Sequence, residues 1–175
     1  MQLEELAPAL RLIREEAVAM AQCPGCGLRL ALGAEGTTWS ARAASDVGDR
    51  MILELGSLER EELWVLFLNA KNSVTGQVRV YQGNVSASLV RIGELFTEAV
   101  RRGVPRLILC HNHPSGDPTP SADDLSMTRQ MVEAGRLLDI EVLDHLIIGH
   151  GRYVSLKEQG LGFGGEGQES QPKGV

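Results

Sequence analysis

The chain has 175 residues, a length that suits one compact domain with a genuine core plus short extensions. Apolar residues make up 43% and charged residues 23%, and the formal net charge of −6 argues against general affinity for nucleic acid, which usually needs a basic face. No apolar run is long enough to cross a bilayer, so membrane insertion is not expected.

The N-terminus and the cysteines indicate a cytoplasmic protein. The stretch MQLEELAPALRLIREEAVAM lacks the basic start and the unbroken apolar core of a secretory signal. The odd set Cys23, Cys26 and Cys110 fits a reducing compartment better than a disulfide framework. Cys23 and Cys26 form a single Cys-x-x-Cys pair, for which a simple turn is favoured over a weak intermolecular metal site.

The first third of the chain is predicted to contain two helices. Residues 9–21 place apolar side chains at helical spacing just after Pro8, where a missing N–H is harmless. A second helix is predicted from Ser45 or Asp46 to Leu55. Its buried face is predicted to consist of Val47, Met51, Ile52 and Leu55.

The pattern then changes to one typical of strands. The continuous apolar run LWVLFLN (63–69) predicts a buried strand, and after the turn AKNSVTG the alternating QVRVY (77–81) predicts its partner. The next helix ends at Gly103 and is followed by the short buried strand PRLILC. The inward face of this helix is predicted to be Leu89, Ile92, Leu95, Phe96, Ala99 and Val100.

The remaining elements predict an α/β (α+β) fold, a mixed β-sheet flanked by helices. A helix over about 122–138 precedes a strand over IEVLDHLIIG and a short final strand over YVSL. A hairpin followed by helix–strand–helix–strand is the order expected for helices packed on a sheet. The Gly-rich, polar residues 161–175 are predicted to be a disordered tail. The inward face of the helix over about 122–138 is predicted to be Leu125, Thr128, Met131, Val132 and Leu138.

The stretch CHNHPSGDPTPSADD (110–124) is rich in potential metal ligands. Alternate residues of an extended segment point the same way, so His111 and His113 can aim two imidazoles at one point while Asn112 faces away. Asp124, one turn into the next helix, can supply a third ligand. Two nitrogens and one carboxylate oxygen suit zinc and leave a fourth position for water, which is the form of a catalytic site.

The end of this stretch also has a purely structural interpretation. SADD is a capping box in which Ser121 is the N-cap and Asp124 the third helical residue, each satisfying a backbone donor of the other. Taken alone, this interpretation is favoured over a ligand role. The co-occurrence of His-x-His, seven residues and Ser-x-x-Asp in a strand–loop–helix context favours the metal site, and Ser121 can cap the helix while facing that site.

The spacing His111-x-His113-x7-Ser121-x-x-Asp124 matches the JAMM (MPN-plus) metalloprotease motif. With HNHPSGDPTPSADD and LDHLIIG…YVSL, the chain resembles the RadC-like branch of bacterial JAMM proteins over residues 45–160. The resemblance implies a JAMM/MPN-like domain with cytidine deaminase-like layers. The residues before it, 1–44, are predicted to be a helical extension. The resemblance also implies that zinc is bound by His111, His113 and Asp124 and that Ser121 orients or stabilises the oxyanion.

The family that the chain resembles also uses a glutamate from an early strand to hold the metal-bound water. Glu61 and Glu62 both precede LWVLFLN. The usual place of this glutamate, two residues before the first large apolar residue, points to Glu61. Glu62 stays open as the alternative, because a register error of one residue changes the face. A solvated surface charge is the other interpretation of either residue.

The function that the resemblance implies is zinc-dependent hydrolysis of an amide or isopeptide bond in a peptide or protein substrate. Zinc would lower the pKa of its water toward about 7. Glu61 would take the proton and pass it to the leaving amine, and Ser121 with the metal would stabilise charge on the carbonyl oxygen. The alternative is a non-catalytic accessory module in DNA repair or recombination, for which nucleic acid is a partner by resemblance only, and a nuclease is a third, weaker hypothesis.

Two departures from typical RadC-like sequences bear on partners. Arg91-Ile92-Gly93-Glu94 stands where those sequences often have His-Pro-Arg-Glu, which puts in doubt any substrate contact at that helix start. The helix-hairpin-helix module of longer members is not recognisable in the first forty-odd residues, which weakens a DNA role.

Three further candidates lie around the predicted site. Asp144 and His145 could orient a ligand histidine or form an internal hydrogen bond without a metal role. His150 is predicted to be exposed in a Gly-flanked turn. Cys110 is predicted to be a core residue, because strand alternation turns it away from the ligand pair.

Overall fold

The computed structural model describes residues 18–22, 29–33, 38–83 and 90–164. The elements of these residues, in chain order, are β1 (Val18–Gln22), β2 (Arg29–Gly33), β3 (Trp39–Ser40), α1 (Ala44–Leu55), β4 (Glu62–Leu68), β5 (Ser73–Gln82), α2 (Ile92–Arg102), β6 (Arg106–Asn112), α3 (Ala122–Leu138), β7 (Glu141–Ile148) and β8 (Tyr153–Ser155).

Six of these strands form one mixed sheet in the order β3-β5-β4-β6-β7-β8. β4 pairs antiparallel with both β5 and β6, whereas β6 and β7 run parallel and are connected through α3. The predicted fold class, a mixed sheet flanked by helices, is confirmed. β1 and β2 form a separate antiparallel pair.

The sheet is buried on both faces, which explains the unbroken apolar run of β4. Val65 and Phe67 belong to the apolar cluster that includes residues of α2 and α3, whereas Leu66 and Leu68 belong to the cluster on the other face, which includes residues of α1. A strand covered on both sides needs apolar residues at every position rather than at alternate ones. This arrangement fixes which residues of β4 face the predicted metal site.

The predicted helices lie close to their predicted bounds, with some errors in their faces. In α1, Val47, Met51 and Leu55 are buried as predicted, and Ile52 is half-buried. Val100 and Leu138, in contrast, are 57% and 46% exposed, so their predicted inward placement is wrong. Both lie in the last turn of a helix, α2 or α3.

The hairpin between β4 and β5 is tighter than predicted. β5 begins at Ser73, so the turn predicted over residues 70–76 is wrong for its second half. The side chain of Asn69 closes the turn, because its Oδ1 accepts hydrogen bonds from the backbone N–H groups of Lys71 and Ser73.

The N-terminal extension differs from the predicted helix where it is described. Residues 18–21 lie in β1, so the helix predicted over 9–21 is wrong there. In the ladder with β2, Val18 pairs with Gly33 at one end and Gln22 pairs with Arg29 at the other. The pairing gives these backbone groups cross-strand hydrogen bonds, which a local periodicity does not reveal. Residues 9–17, Cys23 and Cys26 lie outside the described residues.

The C-terminal boundary also falls partly within the described residues. Phe163, within the predicted tail, packs against the apolar cluster of α2 and α3. Residues 165–175 lie outside the described residues. Of the helices within the described ranges, none combines the length and the apolar character that a membrane span needs.

Candidate metal centre

The candidate site lies at the carboxyl end of β6, where a loop leads into α3. His111 is on β6, and the backbone N–H of His113 donates to Ile148 O at the end of the neighbouring β7. The loop then turns at Gly116, whose φ of +79° favours glycine. A Cβ at this position would overlap the ring of His150, so the tight turn that returns the chain to α3 depends on the missing side chain.

The two histidines converge as the alternation of an extended segment predicts. Their Nε2 atoms lie 3.0 Å apart, and their ring centroids lie 4.9 Å apart. The side chain of His111 is fully buried, whereas that of His113 keeps 19% of its surface exposed. One predicted ligand is therefore buried in the core, and the other lies where the site meets solvent.

Asp124 brings its carboxylate to both imidazoles. Its Oδ1 lies 3.1 Å from His111 Nε2, and its Oδ2 lies 3.6 Å from His113 Nε2. The side chain is 6% exposed, so the carboxylate needs compensating partners. Three predicted ligand residues thus meet at one point.

The capping box is also present, so the structural and the ligand interpretations of Asp124 hold together. Ser121 N–H donates to Asp124 Oδ2 at 2.7 Å, and Asp124 N–H donates to Ser121 Oγ at 3.2 Å. The Ser121 hydroxyl itself donates to Asp124 Oδ2 at 2.6 Å. The cap occupies Oδ2 and leaves Oδ1 directed at His111.

Glu61 lies at this site, and Glu62 does not. Glu61, His111 and His113 each offer a ligand atom within 4.8 Å of the others. The carboxylate of Glu62 is buried and accepts hydrogen bonds from Arg79 at 2.7 Å and from Trp64 Nε1 at 2.9 Å. Leu63 pairs with His111 across β4 and β6, so the antiparallel register carried two residues further sets Glu61 opposite His113.

The buried hydrogen bonds around His111 determine which of its nitrogens carries the proton. Thr128 Oγ1 donates to the carbonyl oxygen of Asp124 at 2.6 Å, so it must accept from His145 Nδ1, 2.7 Å away. Burial lowers the pKa of His145 well below its ordinary value, so this ring is neutral and has a single N–H. Its Nε2 therefore accepts from His111 Nδ1 at 2.8 Å, and the lone pair of His111 is assigned to Nε2.

His113 reaches the same tautomer through a different partner. Its Nδ1 lies 2.8 Å from the carbonyl oxygen of Asp117, which can only accept. The proton is therefore assigned to Nδ1, and the lone pair to Nε2. A backbone carbonyl or another buried group on the far nitrogen is the usual arrangement for a metal-binding histidine.

These tautomers direct two nitrogen lone pairs and a carboxylate toward one another, an arrangement that needs a cation between them. In the metal-free chain a proton on His113 can take the place of this cation. The hydrogen bond with Asp124 raises the pKa of His113, and the charge of Glu61 acts in the same direction. Burial acts to raise the pKa of Asp124, but its interactions with the neighbouring imidazoles of His111 and His113 and with Ser121 outweigh burial and hold that pKa well below its usual range. The donor set, two imidazoles and a carboxylate, fits zinc.

The remaining candidates from the sequence are Asp144, His145 and Cys110. His145 is the member of the Asp144–His145 pair that contacts a predicted ligand, because its Nε2 lies 2.8 Å from His111 Nδ1. Asp144 is a structural carboxylate, which accepts from His145 N–H at 2.7 Å, Ser155 Oγ at 2.6 Å and Lys157 N–H at 3.1 Å. Cys110 is buried in the cluster on the other face of the sheet, as predicted.

Two residues at the site were not identified as functional from the sequence. Thr128 was predicted only to face inward, and its contact with His145 joins two segments that are separate in the chain. Asn112 was predicted to face away from the ligands. It does so, but its buried side chain bonds the segment that carries Glu61. Neither contact leaves a local pattern that a single sequence could reveal.

Comparison with known proteins places these residues in a family context. The family model described as RadC-like JAB domain matches residues 41–161. A UPF0758 protein of Chloroflexus aurantiacus is 52% identical over 137 residues, which are 78% of this chain and 60% of that protein. A UPF0758 protein of Caldanaerobacter subterraneus is 41% identical over 145 residues, 83% of this chain and 62% of that protein.

A third relative gives the same result. A UPF0758 protein of Bacillus cereus is 44% identical over 122 residues, which are 70% of this chain and 54% of that protein. The matched region therefore spans between about half and two thirds of the length of these relatives.

Proposed function

The chain belongs to the family of RadC-like JAB domains, and on this premise we propose that it is a zinc-dependent hydrolase of the JAMM type that cleaves amide or isopeptide bonds through a metal-activated water. The observation that carries the proposal is the convergence of two imidazole lone pairs and one carboxylate, with Glu61 beside them. Such a set has three protein ligands, which is typical of catalytic zinc sites.

The residues proposed to bind zinc are His111, His113 and Asp124. When bound, the metal supplies a Lewis acid and lowers the pKa of a coordinated water. His145 keeps His111 in the tautomer that presents Nε2. The capping contacts from Ser121 keep the Asp124 carboxylate turned toward the histidines.

The proton-transfer role is proposed for Glu61. Its carboxylate lies on the same face of the sheet as both histidines and is half-buried, so solvent and substrate can reach it. It would take a proton from the attacking water and deliver it to the leaving amine. Glu62 is unsuited to this role, because its two oxygens already accept from Arg79 and Trp64.

Ser121 is the proposed donor to the developing oxyanion. Its hydroxyl donates to Asp124 in this structure, so rotation about its side-chain bond is needed before it can donate to a substrate carbonyl oxygen. The residue is exposed at the loop–helix junction, which leaves room for that rotation. A donor of this kind stabilises charge that is present only in the transition state.

The proposed substrate is a peptide or a protein joined through an amide or isopeptide bond, and the proposed location is the cytoplasm. The free, buried thiol of Cys110 is consistent with a reducing compartment. The alternative of an accessory role in DNA repair or recombination rests on family resemblance alone, and the net charge of −6 does not favour it.

The test combines metal content with turnover of the full chain. We expect about one zinc per chain, the stoichiometry of a catalytic three-ligand site, and hydrolysis of members of a peptide and isopeptide library. His113→Ala should lose both properties, whereas Glu61→Gln should retain zinc and lose turnover. A protein that carries no zinc, or one whose zinc survives in His113→Ala, would contradict the proposal.

A further inference from the structure

We propose that Asn112 is a positioning residue that holds Glu61 against the metal centre, an inference that rests on the proposed function of that centre. Asn112 lies between the two ligand histidines in the chain but points to the opposite side of the strand. Asn112 is 1% exposed, and its side chain reaches the segment where β4 begins. There it bonds the backbone on both sides of Glu61.

The hydrogen bonds of Asn112 enclose Glu61. The backbone N–H of Glu62 donates to Asn112 Oδ1 at 2.8 Å, and Asn112 Nδ2 donates to the carbonyl oxygen of Arg60 at 3.0 Å. The orientation of the carboxamide is determined, because a backbone N–H can only donate and a carbonyl oxygen can only accept. An asparagine supplies both functions over this short reach.

The hydrogen bonds of Asn112 connect the β4 and β6 segments where the backbone ladder between these two strands has ended. The pairing of β4 with β6 ends at Leu63 and His111, so Glu61 lies past the end of that ladder. On its other side Glu61 O accepts from Gly83 N–H at 2.8 Å. Together with the pairing of Glu62 and Gln82 between β4 and β5, these contacts hold the segment on both sides of Glu61, and Asn112 supplies the contacts from β6.

The effect on the metal centre follows from charge and distance. The Glu61 carboxylate lies within 4.8 Å of the ligand nitrogens of His111 and His113. A negative charge at that distance strengthens the binding of a dication, and it loses this effect when the segment that carries it moves into solvent. Asn112 therefore acts on the centre through Glu61, although it is no ligand itself.

A double-mutant cycle with Co²⁺ as the probe tests this coupling in the full chain. In the wild-type background we expect Glu61→Gln to raise the Kd for Co²⁺ by about threefold or more, as for groups that share one network. In the Asn112→Ala background we expect the same substitution to change the Kd by less than about twofold, because Glu61 is already displaced. The cobalt absorption spectrum should follow the same pattern.

Asn69→Ala is the matched control. Asn69 also bonds two backbone groups with its side chain, but at the other end of β4. In this background Glu61→Gln should have its full wild-type effect. An equal effect of Glu61→Gln with and without Asn112 would overturn the inference and leave the proposed function intact.

Two other outcomes are decisive. A wild-type chain that fails to bind Co²⁺ would overturn the proposed function and the inference with it. If Glu61→Gln leaves the Kd for Co²⁺ unchanged in the wild-type background, the proposed role of Asn112 is overturned. If Asn112→Ala does not fold, amide hydrogen exchange in the wild-type chain decides instead. We expect the Glu62 amide to exchange slowly, and exchange as fast as that of an exposed loop amide would contradict the inference.

Discussion

At the scale of single residues, the properties of the site depend on where protons reside on three histidines. The hydroxyl hydrogen of Thr128 is bonded to Asp124 O, so toward His145 the hydroxyl can only accept. His145 therefore donates from Nδ1 and accepts from His111 Nδ1 at its own Nε2. This leaves His111 Nε2 with a lone pair. A buried threonine that is not itself a predicted ligand thus determines the tautomer of one predicted ligand, His111.

Substitution of Thr128 tests this chain of hydrogen bonds. Thr128→Val keeps the shape but removes the hydroxyl, which leaves His145 Nδ1–H without an acceptor in the core. We expect a loss of about 1–3 kcal/mol in the free energy of unfolding and a 10- to 100-fold weaker zinc affinity, on the order seen for orienting residues of metal sites. Thr128→Ser should restore both within a few-fold. A valine variant with wild-type zinc affinity in a competition titration would show that the tautomer is fixed by other means.

The raised pKa of His113 predicts how zinc binding responds to pH. Its folded-state pKa lies above the ordinary 6.5, so a proton occupies Nε2 and competes with zinc as the pH falls through that range. In the metal-free chain the same proton stabilises the fold below pH 6.5, and this contribution is lost as the pH rises through the folded-state pKa.

Zinc titrations at several pH values check this prediction. The Kd for zinc should rise as the pH is lowered from 8 to 6, a window of about two units centred just above the ordinary histidine pKa. Glu61→Gln should move the midpoint of this dependence to lower pH, because the Glu61 charge contributes to the raised pKa. A Kd that is constant over this range would contradict the assignment of His113 as a ligand.

At the scale of elements, the site depends on the loop that joins β6 to α3. Gly116 adopts a left-handed φ of +79°, and the His150 ring fills the space where a Cβ would lie. The return of the chain at this point brings Ser121 and Asp124 over the histidines. The loop also contributes Asp117 O, which bonds His113 Nδ1.

Gly116→Ala tests this dependence against a matched glycine. Gly103 also has a left-handed φ, +60°, but no atom lies within 4 Å of a Cβ built there, at the end of α2. Gly103→Ala should cost about 1 kcal/mol through backbone strain alone and leave zinc affinity unchanged. Gly116→Ala should cost more in thermal or denaturant unfolding and also weaken zinc binding. Equal losses of stability with unchanged zinc affinity in both variants would show that the loop tolerates the side chain.

At the scale of the whole molecule, local patterns predicted five of the six strands of the sheet, the three described helices and the convergence of His111 and His113. These features depend on the alternation of a strand and the period of a helix, which are visible in a single sequence. The choice between Glu61 and Glu62 needed the register of β4 against β6, which no local pattern contains. The strand β1, the exposure of Leu138 and the contacts of Thr128 and Asn112 depend on distant segments, and for this reason they became visible only in the fold.

The most direct measurement is a crystal structure of the full chain grown with zinc, with anomalous scattering recorded at the zinc edge. We expect one strong peak at about 2.0–2.2 Å from His111 Nε2, His113 Nε2 and one oxygen of Asp124, the distances usual for nitrogen and carboxylate ligands. The Glu61 carboxylate should face the fourth coordination position. No peak between these three side chains, or an Asp124 carboxylate turned away into solvent, would contradict the account.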